Sequence, residues 1–124
     1  DVTLATLSAT VEHALAAADE LAGEGLSVEV IDLRSVVPLD ADTVAESAGR
    51  TGRLLVVDED YLSFGLSAEL SLRVIDRLGL SGLRQVERLA VPDVPIPAAL
   101  SLEKAVVPGP ELIADRLRRM AKGA

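Results

Sequence analysis

The spacing of apolar residues changes several times along the chain, and each change marks a switch between strand and helix. Val2–Ser8 (VTLATLS) is an apolar, β-branched run bounded by small polar residues, the pattern of a buried strand. Val11, Ala14, Leu15, Ala18, Leu21 and Ala22 then recur at helical spacing, with Ser8 or Thr10 as the N-cap and Gly23 or Gly25 as the stop. Leu26–Leu33 (LSVEVIDL) alternates and predicts a second strand, broken off before Pro38. Asp40 or Asp42 caps a shorter helix through Val44, Ala45 and Ala48, ended by Gly49 and Gly52. Arg53–Asp58 (RLLVVD) reads as a third strand and Asp58–Phe64 as a polar-aromatic loop. Leu66, Leu70, Val74, Ile75 and Leu78 place a helix over Gly65–Leu78, and Leu83–Ala90 is a fourth strand of imperfect alternation.

Val91–Pro97 (VPDVPIP) carries three prolines, which lack amide donors and restrict the residues before them, so it is extended loop. Ser101–Ala105 is a short helical piece. Pro110 then opens a final helix whose buried face is Leu112, Ile113, Leu117 and Met120. Strands alternating with helices predict an α/β domain with a mainly parallel sheet. Four strands are visible, and a short fifth is placed in either Ser35–Pro38 or Leu100–Pro108.

A length of 124 residues fits one domain, here 1–124, and 49% hydrophobic residues supply a real core. One Phe, one Tyr and no Trp make that core aliphatic, which suits a sheet covered by helices on both faces. The net charge of −8 argues against nucleic acid, because a phosphate groove needs clustered cations. Arg116, Arg118, Arg119 and Lys122 do cluster, but at the C-terminal end of a helix, where the macrodipole favours them. The acidic balance fits a basic protein partner, although solubility alone would account for it. With no Cys, thiolate metal sites and Cys nucleophiles are excluded, and a cytoplasmic location is expected. No apolar run approaches a membrane span, so no membrane partner is expected. A chain that begins at Asp1 and enters a strand at once is expected to be cut from a longer polypeptide.

The candidate chemistry is sparse. A nucleotide site would need a Gly-rich turn after the first strand, whereas Ser8-Ala9-Thr10-Val11 stands there, and no GxGxxG or GxxxxGK[ST] occurs. His13 is the single histidine and has no second His for a metal pair; it reads as a helix-face residue. Asp58-Glu59-Asp60 is the densest acidic cluster and sits at the carboxyl end of a strand, where crevices form in open α/β sheets. It admits three readings: a divalent cation site, a solvated edge, or acceptors for a basic partner. Tyr61, Leu62 and Phe64 follow. Their aromatics suit either an interface or, for Phe64, packing under the next helix, and Gly65 lets the chain turn tightly.

The segments VEVIDLRSVVPLD (Val28–Asp40), RLLVVDED (Arg53–Asp60) with FGLSAEL (Phe64–Leu70), and VPDVPIP (Val91–Pro97) followed by LEKAVVP (Leu102–Pro108) occur in that order. Together they resemble the C-terminal domain of the beta subunit of thiamine-diphosphate-dependent 2-oxo acid dehydrogenases of the pyruvate, branched-chain and acetoin types, over Val2 to about Arg119. The resemblance implies a three-layer α/β/α domain of the transketolase C-terminal type, with a mostly parallel five-stranded sheet and one antiparallel edge strand. It also implies that the glutamate activating the cofactor lies on a preceding pyrimidine domain, and that thiamine diphosphate and Mg are held by the alpha-type domain. This domain would then have no catalytic, cofactor-binding or metal residues and no turnover when isolated. Its implied partners are an alpha subunit or domain, a second beta subunit and the dihydrolipoyl acyltransferase core. The implied interface candidates are Asp58, Glu59, Asp60, Tyr61, Phe64, Gly65, Asp93 and Pro95. Glu12 stands where the family often has a His, so no role of that His is transferred.

The IDLR-to-PLD segment is shared with transketolase and deoxyxylulose-phosphate synthase, which keeps the equivalent domain of those enzymes as an alternative. A further alternative is a stand-alone ligand or regulatory module using the crevice near Asp58.

Overall fold

A computed structural model describes residues 1–93 and 107–123. The elements are β1 (Val2–Thr6), α1 (Thr10–Ala22), β2 (Val28–Asp32), α2 (Ala41–Thr51), β3 (Arg53–Tyr61), α3 (Leu66–Leu78), β4 (Gln85–Val91) and α4 (Pro110–Ala121), with a 3-10 turn at Leu80–Gly82. The strand order is β2-β1-β3-β4, and every pairing is parallel. Each connection therefore returns through a helix from the carboxyl edge of the sheet to its amino edge.

The alternation of side chains along the strands sorts the core into two slabs. Val2 and Leu4 of β1 with Leu55 and Val57 of β3 meet Ala14, Ala17 and Leu21 of α1 and Ile113, Leu117 and Met120 of α4. Ala5, Leu54 and Val56 face the opposite way, onto Val44, Ala45 and Ala48 of α2 and Leu70 and Val74 of α3. This is the three-layer α/β/α arrangement. Two threonines sit within the buried central strand. Thr3 Oγ1 meets Ser47 Oγ at 2.7 Å and Thr51 Oγ1 at 2.9 Å, and Thr6 Oγ1 meets Thr10 Oγ1 at 2.5 Å, so neither hydroxyl is buried without a partner.

Several expectations need correction. The five-stranded sheet with an antiparallel edge becomes, among the described residues, four strands that are all parallel. Ser35–Pro38 is not a strand: after Leu33 N–H donates to Thr6 O at 2.9 Å, Arg34 turns the chain off the sheet with φ 61°, and Pro38 has no amide to pair. The other place for a fifth strand, Leu100–Pro108, lies mostly outside the described residues, as do the helical piece at Ser101–Ala105 and most of the Val91–Pro97 loop. Neither Ser8 nor Thr10 caps α1. Ala9 occupies the N-cap position, and the Thr10 hydroxyl donates to Leu7 O at 2.7 Å instead.

Asp40 does cap α2, accepting from Thr43 N–H at 3.1 Å, and Gly49 lies inside that helix, which ends at left-handed Gly52. β3 continues past Asp58 to Tyr61. It pairs Val57 with Leu89 and Tyr61 with Val91, so a bulge absorbs the extra residues between.

Candidate functional site

Side chains at the two edges of the sheet follow different rules. At the amino edge, the residues with positive φ that lead from helix to strand are Gly25 (82°), Gly52 (77°) and Gly79 (77°). At the carboxyl edge the positive-φ residues all carry side chains: Ser8 (57°) after β1, Arg34 (61°) after β2 and Phe64 (62°) after β3. A left-handed backbone costs a non-glycine residue about 1–2 kcal/mol, and such strain gathers where a side chain is needed in a fixed place. The same edge exposes Val36 and Val37 after β2, and Phe64 projects wholly into solvent.

The loop that carries Phe64 is fixed from both sides. Leu62 N–H donates to Val91 O at 2.8 Å, and Arg88 Nη1 donates to Leu62 O at 2.6 Å. Ser63 N–H donates to Asp93 Oδ1 at 3.2 Å, and the Ser63 hydroxyl donates to Asp93 Oδ2. These bonds hold the Asp93 carboxyl below the usual carboxylate range, the hydroxyl contact counting most. Beyond Phe64 the chain passes so close to itself that a Cβ on Gly65 would stand 2.0 Å from Tyr61 O, so only glycine fits there. Sequence reasoning found Asp93 and Gly65 but missed Arg88 and the Ser63–Asp93 pair. No short-range signal marks a contact across 30 residues.

The acidic run divides by strand alternation. Asp58 is buried at 5% exposure, Glu59 is half-buried and Asp60 is exposed. Asp58 is thus not a surface acceptor, which removes it from the interface candidates as a contact group. Its Oδ2 has no hydrogen-bond partner among the described residues. Burial pushes its carboxyl above the ordinary range. The backbone N–H groups of Asp60 and Glu59 counter this, and the charges on Asp60 and Glu59 add to the rise. Tyr61 is half-buried, Gly65 is buried and Asp93 is exposed, while Pro95 lies outside the described residues.

The cation-site reading of Asp58-Glu59-Asp60 finds no support, since no group of three His, Cys, Asp or Glu among the described residues converges on one point. Nor do the residues around the loop fit a pyrophosphate and its metal: Glu59, Asp60 and Asp93 would repel the phosphates, and Arg88 donates to Leu62 O. His13 is half-buried on α1, with Nδ1 3.1 Å from Pro108 O. It ties that helix to the start of α4 and is not part of a relay.

The profile of the family described as "Transketolase, C-terminal domain" matches residues 1–113. The chain belongs to the transketolase C-terminal domain family. A solved member of similar fold, "Split gene transketolase, inactive beta4 tetramer", superposes with a TM-score of 0.83 at 25% identity, covering 96% of this chain and 38% of that one. Among sequences, the chain is 41% identical over its whole length to the pyruvate dehydrogenase E1 component subunit beta-2 of Oryza sativa subsp. japonica, 32% of which is covered. It is 37% identical over 99% of its length to the acetoin:2,6-dichlorophenolindophenol oxidoreductase subunit beta of Cupriavidus necator, 36% of which is covered. This transketolase-type domain therefore spans about a third of the length of these curated relatives.

Proposed function

We propose that this chain is the C-terminal assembly and docking domain of a 2-oxo acid dehydrogenase beta subunit. In this reading the parent enzyme carries out thiamine-diphosphate-dependent oxidative decarboxylation and passes the acyl group to lipoamide. The observation that carries the reading is end-to-end similarity to E1 beta subunits at 41% identity. The geometry supports a contact role over a chemical one. The carboxyl edge displays an aromatic loop tied down by hydrogen bonds and exposed carboxylates, and the Oδ2 of its buried Asp58 has no hydrogen-bond partner among the described residues. Thiamine diphosphate and Mg belong, in this reading, to the parent enzyme, and no step is assigned to them on these residues. The alpha subunit, a second beta subunit and the dihydrolipoyl acyltransferase core are the proposed partners. The pyruvate and acetoin relatives support those two substrate classes, and the branched-chain 2-oxo acids stand beside them as the third class of the proposal.

The test compares the full-length polypeptide bearing this domain, reconstituted with its alpha subunit, with the 124-residue chain alone. Reduction of dichlorophenolindophenol driven by pyruvate, a branched-chain 2-oxo acid or acetoin is expected only from the reconstituted enzyme. Turnover by the isolated chain, or none by the assembly with any of these substrates, would refute the proposal.

A further inference from the structure

We draw no further inference here: the strongest candidate, the exposed loop after β3 that carries Phe64 at the carboxyl edge of the sheet, carries nothing because nothing in the structure shows what covers it.

Discussion

Ser63 and Asp93 lie 30 residues apart in the chain and meet at the carboxyl edge of the sheet, where both the amide and the hydroxyl of Ser63 donate to the Asp93 carboxylate. This pair ties the loop after β3 to the residue just beyond β4, and so turns the flank of an exposed phenylalanine into a fixed corner. Asp93→Ala is expected to accelerate amide exchange at Ser63 while leaving exchange in β1 unchanged. The pH sign follows from the lowered Asp93 pKa. Its contribution is present above the unfolded carboxylate value, near about 3.9, and fades as pH falls through the lower folded value. Equal Ser63 exchange in the variant and the wild type at pH 7 would show that the pair does not hold the loop.

Asp58 has the opposite sign. Its folded-state pKa is raised, so its stabilising contribution is complete below the unfolded value and is lost as pH rises through the folded value. Asp58→Asn removes the buried charge. It should stabilise the domain at pH 7, with the gain over wild type shrinking toward pH 4. Urea melts of both proteins at the two pH values measure this, and a less stable variant at pH 7 would contradict the assignment.

Gly65→Ala should be costly although Gly65 has an ordinary backbone φ of −84°. The added methyl meets a backbone carbonyl that cannot swing away. The expected loss is about 1–3 kcal/mol, read from denaturant midpoints. A neutral result would mean that the β3-to-α3 turn relaxes freely.

Leu117 and Leu112 both read as the buried face of α4, yet Leu117 is fully buried against α1 while Leu112 is 45% exposed, its place in the core taken by Ala114. Leu117→Ala should cost about 2–5 kcal/mol, and Leu112→Ala should stay within about 0.5 kcal/mol. Similar losses at both positions would mean that α4 is seated differently on the sheet.

Hydrophobic period made the layers legible in the sequence. Leu54 to Val57 is a continuous apolar run because the two helical layers claim alternate residues. On α1 the helical spacing found Ala14 and Leu21, but the buried face runs through Ala17, while Leu15, also read as apolar face, is 49% exposed. The ends of elements were harder to read, because tertiary pairing settles them. Asp58–Tyr61 reads as loop from its charges, yet Val91 across the bulge recruits it into β3. Thr10 reads as a cap, yet Thr6 and Leu7 engage its hydroxyl first. At the candidate site, the residue types of Phe64, Gly65 and Asp93 were visible. The burial of Asp58 and the part played by Arg88 depend on which way a bulged strand turns, and local sequence does not encode that.

Parallel pairing also decides how the domain is wired to anything joined to it. Val2 starts β1 at the amino edge, and Gly123, just past α4, lies beside Arg53 at that same edge. A short linker or affinity tag fused at either terminus therefore departs on the side away from Phe64. Such a tether leaves the aromatic corner unobstructed, and immobilising the protein through either end should present that corner to whatever flows past.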